Sequence, residues 1–118
     1  MTVVRVVEPM RVPATPFLPS GMRAQITGQA EAVNRIHTAT ARRQVEAVAA
    51  TLAHAGWRAR GVVRSGVPLA GLLAAVRAER ADVLVLGARG AGAITHFLLG
   101  SVAEAALKHA PVEVLIVK

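Results

Sequence analysis

The chain contains no cysteine and no tyrosine, and its aromatic side chains are Phe17, Phe97 and Trp57. Without thiols there is no disulfide framework, no thiolate nucleophile and no cysteine-ligated zinc or iron–sulfur centre, which fits a reducing compartment and sets the expectation of a cytoplasmic protein. With so few aromatics there is no stacking platform of the kind that single-strand nucleic-acid binders use. Long hydrophobic runs are also missing. The opening segment is broken by Glu8, Pro9, Arg11, Pro13 and Pro16, and no later stretch approaches the ~20 apolar residues that a membrane span needs. Acidic residues are scarce, seven against fourteen Lys plus Arg, so the formal charge is +7. That excess points to an anionic partner: nucleic acid, a membrane surface or a phosphate ligand. Twelve of the cations are arginines scattered along the chain with no run of five, which argues against nucleic acid.

What is present is a chain of 118 residues, 53% hydrophobic, enough for one compact domain over 1–118. Thr2 to Val7 (TVVRVV) reads as a buried strand. A proline-rich loop follows from Glu8 to about Ala24. An Ala-rich helix is expected from Ala24 to Ala55, with Val33, Ile36, Val45, Val48 and Leu52 on its apolar stripe and Gly56 at its end. Trp57 to Arg64 reads as a strand interrupted by Gly61. Pro68 begins a helix that runs to Arg80, with Leu69, Leu72, Leu73 and Val76 as its apolar face. Ala81 to Leu86 (ADVLVL) reads as a parallel strand covered on both faces. After the loop Gly87 to Gly100, the pattern Ser101-Val102-Ala103-Glu104 predicts a capping box and a helix to about His109. Val112 to Val117 is the last strand. Strands alternating with helical connections predict an α/β fold around a mostly parallel sheet.

Open α/β sheets bind ligands beyond the carboxyl ends of their strands, where helix N-termini present free N–H groups. Gly87 stands at such an end. Gly87-Ala88-Arg89-Gly90 permits a close backbone turn, and Gly100-Ser101 opens the next helix, so the spacing is Gly, two residues, Gly, nine residues, Gly-Ser. Such a loop suits the cradling of phosphates. The same residues also suit a plain turn followed by a helix cap, and Arg89 suits either a phosphate or solvent; spacing alone leaves both readings open. There is no GxxxxGK[ST] and no third glycine after Gly90-Ala91-Gly92, which excludes a Walker loop and a dinucleotide fingerprint. No HExxH, carboxylate pair or Ser/His/Asp set is present, Asp82 is the sole aspartate, and His96 in the loop has no partner pattern. The sequence offers a binding site without a visible catalytic apparatus.

These residues resemble the ATP-binding branch of the universal stress protein family. The resemblance is carried by ADVLVLGARGAGAITHFLLGSVAEAALKHAPVEVLIVK (81–118) and more weakly by VRSGVP (63–68) and VVRVVEP (3–9). It implies a flavodoxin-like, doubly wound parallel sheet of the adenine nucleotide alpha hydrolase-like kind and a nucleotide-binding regulatory domain of the stress response. It further implies ATP, with or without magnesium, as the ligand, at most slow hydrolysis, and a homodimer through Val112 to Val117. By this resemblance Gly87, Arg89, Gly90 and Ala91 would wrap the phosphates. Gly100, Ser101 and Val102 would meet phosphate and ribose, and Val6 or Val7 would lie near adenine. The chain departs from the family pattern at its start, which lacks the first strand with its terminal aspartate and the helix after it. The expectation is therefore an N-terminally truncated fold with four strands, in which TVVRVV pairs directly with ADVLVL or a dimer closes the gap. The alternative function is a dimeric scaffold of the same fold that does not bind nucleotide.

Overall fold

In a computed structural model, residues 1–14, 16–88 and 99–118 are described, and they form two compact units, Met1–Gly66 and Val67–Lys118. The first unit is a β-α-β crossover: β1 (Thr2–Val7), α1 (Ser20–His54) and β2 (Arg60–Ser65). β1 and β2 pair in parallel, from Thr2 opposite Arg60 to Val7 opposite Ser65. The ladder is extended at one end by the Arg60 N–H donating to the Met1 carbonyl (3.1 Å) and at the other by the Gly66 N–H donating to the Val7 carbonyl (3.0 Å).

α1 begins at Ser20 rather than near Ala24, so the proline-rich connection is shorter than expected. Its 35 residues give a length of about 52 Å. Of the expected stripe, Val45 is buried and Val33 and Leu52 are half-buried, but two members face solvent. Ile36 is 63% exposed and Val48 49%, while Ala30, Ala41, Val45 and Ala49 are buried. Small side chains on that stripe let the helix lie close on the sheet, and Gly61 of β2 shows how close. A Cβ at that position would stand 2.7 Å from Val45 Cγ2 and 2.9 Å from the Val45 carbonyl carbon. Gly61 therefore does not interrupt the strand; it admits the helix. The strand itself is offset from the expected Trp57–Arg64, because α1 ends in a reverse turn that occupies Ala55 to Trp57. Gly56 has φ +93°, its N–H donates to Ala53, and the Trp57 N–H donates to Leu52, a Schellman closure of the last turn.

The second unit contains α2 (Pro68–Ala78), β3 (Val83–Gly87), α3 (Ser101–His109) and β4 (Glu113–Val117). β3 and β4 pair in parallel, from Val83 opposite Glu113 to Gly87 opposite Val117. α2 starts with proline at its first position, as expected. It stops at Ala78, two residues before the expected Arg80, because Arg80 takes φ +49° and the Ala81 N–H closes back on the Val76 carbonyl (3.0 Å). Ala75 and Val76 of α2 and Ala103 and Ala106 of α3 are buried where these helices pack.

Two sequence expectations about the sheet change. β3 is not covered on both faces: Val83 and Val85, with Leu115 and Val117 of β4, are between 48% and 55% exposed, whereas Leu84, Leu86, Val114 and Ile116 are half-buried. The direct pairing of TVVRVV with ADVLVL is not formed among the described residues, where each sheet has two strands. Within each unit the first strand pairs instead with the next strand in sequence, across a helical crossover.

Candidate functional site

The glycine-bracketed loop leaves β3 and returns at α3, and backbone bonds hold its two ends side by side. Ala88, directly after Gly87, donates its N–H to the Val117 carbonyl at the end of β4 (2.8 Å), and its own carbonyl accepts the Gly100 N–H (2.7 Å). The carboxyl ends of β3 and β4 and the first turn of α3 are thereby brought to one place. Gly87, Gly100, Ser101 and Val102 all lie there. Arg89, Gly90 and Ala91, the other residues expected to wrap phosphates, lie outside the described residues, as does His96.

Gly100 is the N-cap of α3, with φ −62° and ψ 147°, and its carbonyl accepts the Glu104 N–H (2.9 Å). The expected capping box centred on Ser101 is therefore displaced by one residue. Ser101 is the first helical residue, exposed, and Glu104 falls one place too far along to bond back to the start of the helix. Its Oε1 instead accepts a hydrogen bond from Lys108 Nζ (2.8 Å), one turn further on. That bond and the ammonium charge hold the Glu104 carboxyl below its ordinary value. A lowered carboxylate pKa stabilises the fold at neutral pH, and that contribution disappears as pH falls through the lowered value. Since both side chains are exposed, it is a small surface contribution.

The displacement matters for binding. A serine or aspartate at the N-cap would spend its side-chain oxygen on the first-turn N–H groups, but glycine has none to spend. The N–H groups of Ser101, Val102 and Ala103 have no acceptor within the helix. They carry the positive end of the helix dipole, the arrangement that receives an anion.

In the first unit, Val6 and Val7 end β1 and line an open cleft of about 320 Å³ against α1. Arg5 joins them from the strand, and His37, Thr40 and Gln44 come from the helix. The sequence reading passed over these three, although their spacing of three, four and seven residues places them on one helical face. It also passed over Asn34, whose side chain acts as a surrogate backbone: Oδ1 accepts the Met10 N–H (2.7 Å) and Nδ2 donates to the Met10 carbonyl (3.0 Å), fastening the loop after β1 to α1. Among the described residues no His/Asp/Glu group is arranged to hold a metal ion, and no helix is long and apolar enough to cross a membrane.

The family model for the universal stress protein family matches residues 1–118. Among solved structures, the chain is similar to the hypothetical protein MJ0577, at 20% identity and TM-score 0.77, covering 99% of this chain and 74% of that one. It is similar to the hypothetical protein PH0823 at 20% identity and TM-score 0.67, covering 99% and 73%. Universal stress protein UspA from Lactobacillus plantarum follows at 20% identity and TM-score 0.64, covering 99% and 76%. No curated protein matches the chain. At these identities the structural likeness speaks for the fold, an α/β arrangement of parallel strands in the flavodoxin-like manner.

Proposed function

Because the chain belongs to the universal stress protein family, we propose that it is a nucleotide-binding regulatory domain that takes ATP as a ligand through the Gly-x2-Gly-x9-Gly-Ser loop. The observation that supports this reading is the Gly100 N–H bond to the Ala88 carbonyl, which sets an uncapped helix N-terminus at the carboxyl end of the β3–β4 ladder. In the proposed mode the Ser101, Val102 and Ala103 N–H groups and the Ser101 hydroxyl meet phosphate oxygens, with Arg89, Gly90 and Ala91 of the same loop as their partners in binding. Binding and release of the nucleotide, rather than its hydrolysis, is the function proposed.

The test is a thermal melt of the wild-type chain and of Gly100→Val, with and without magnesium–ATP. Ligand at ~100 times its Kd adds ~2.7 kcal/mol to the folded state. The wild type should rise by several degrees, and Gly100→Val should melt cooperatively on its own and lose the rise. A rise that survives the substitution refutes the loop assignment, and a wild type indifferent to ATP refutes the function.

A scaffold reading is favoured by a different observation, the half-exposed Val83, Val85, Leu115 and Val117 and the outer edge of β4, which is unpaired among the described residues. Antiparallel pairing of that edge with a second copy, Leu115 set against Leu115, keeps the same face of both copies on one side and brings Glu113 of each chain beside the Val117–Lys118 end of the other. Opposite charges near both ends favour this pairing. Sedimentation at pH 7 that shows a dimer weakened by E113K and restored by E113K/K118E would support it; a monomer at all concentrations removes it.

A further inference from the structure

The first unit carries most of the chain's positive charge, nine arginines against three glutamates in residues 1–66. The other eight are exposed on the surface, but Arg64 is placed differently. It is half-buried, and its Nε lies out of reach of solvent with no hydrogen-bond partner among the described residues. A guanidinium cannot shed its charge by losing a proton, so an enclosed, unmatched N–H is a standing cost to the fold. Such groups in native structures call for a reason.

The position of Arg64 supplies one. It stands next to last in β2, directly across the ladder from Val6. Alternate residues share a face, and Gly61 meets α1 through Val45, so Arg64 belongs with Val4, Val6 and Val62 on the face away from that helix. That face of the ladder holds no acidic residue: its members are Thr2, Val4, Val6, Arg60, Val62 and Arg64. An uncompensated cation at the carboxyl end of parallel strands, among valines, is placed where α/β folds receive ligands. Apolar surroundings strengthen a charge-assisted bond there relative to solvent. We infer that Arg64 is an oxyanion-binding residue, whose guanidinium receives the phosphate or carboxylate group of a small ligand at the carboxyl end of the β1–β2 ladder. The fork of N–H groups suits either oxyanion.

This inference does not require the glycine loop to bind ATP, and the test separates the two. Melts of the wild type and of R64M are recorded in sodium phosphate, sodium succinate and magnesium–ATP, each against sodium chloride at matched ionic strength. The methionine side chain keeps the apolar stem without the charge. Phosphate or succinate should raise the wild-type melt, R64M should lose that rise, and titration should show R64M binding the same anion roughly tenfold to hundredfold more weakly. In chloride alone R64M should melt at or above the wild type, because it removes an unmatched buried N–H. R64M melting below the wild type in chloride, R64M keeping the anion-dependent rise, or a wild type that responds to neither anion would each overturn the inference. A phosphate rise that depends on Arg64 in a chain indifferent to ATP would retire the nucleotide reading and leave the Arg64 site standing.

Discussion

Gly61→Ala is the substitution whose outcome follows most directly from the packing. The new methyl carbon would sit 2.7 Å from Val45 Cγ2 and 2.9 Å from the Val45 carbonyl carbon, both inside van der Waals contact. A rotamer change of Val45 would relieve only the first. The carbonyl carbon belongs to the backbone of α1, so relief of the second requires the helix to move off β2, and the helix is held there by buried Ala41, Val45 and Ala49. Overpacking of this kind costs about 1–3 kcal/mol. Alanine also restricts the unfolded chain, which returns about 0.4–1 kcal/mol. The net expectation is a loss of about 1–2 kcal/mol, and a chain of this length should melt about 3–10 °C lower. Urea unfolding followed by far-ultraviolet circular dichroism reads the same quantity as a lower midpoint at unchanged slope. Val45→Ala provides the control. By itself it opens a cavity and destabilises, but combined with Gly61→Ala it should cost less than the sum of the two by about 0.5–1 kcal/mol, since one of the two clashes is then gone. A Gly61→Ala chain as stable as the wild type would refute the close approach of α1 to β2.

Two further expectations concern the local devices that hold the units in shape. Asn34→Ala removes both bonds to Met10, so the segment between β1 and α1 should be cut faster by a nonspecific protease, with a loss of only about 0.5–1.5 kcal/mol because the bonds are exposed. Asn34→Asp, which keeps the acceptor and loses the donor, should fall between the two. Arg80 occupies the left-handed region at φ +49°, where a side chain costs about 1–2 kcal/mol, so Arg80→Gly should raise the melting temperature by a few degrees after the entropy of the added glycine is counted; no change would show that α2 does not end in that conformation.

The family resemblance places the expected phosphate site around Gly87 and Gly100, and the structure brings these two residues to one end of the β3–β4 ladder through Ala88. What sequence spacing could not give was the residue at the cap. Ser101 and Glu104 have the capping-box spacing, but the preceding glycine can cap as well, and only the bond from Glu104 N–H to the Gly100 carbonyl decides between them. The consequence is functional, because a glycine cap leaves the first-turn donors free.

The sequence by itself determined the order of elements, the parallel class of the sheet, the proline start of α2 and the glycine end of α1. Each of these depends on a local rule: β-branched runs, a fixed φ, a left-handed turn. The tertiary structure decided which face of α1 is buried, because close helix–sheet approach at Gly61 selects alanines over the larger Ile36 and Val48. It also decided that β3 and β4 keep an apolar face half-open and that Arg64 lies partly enclosed without a partner. Burial is a property of what lies across space, and no periodicity along a chain encodes the neighbour on the other side.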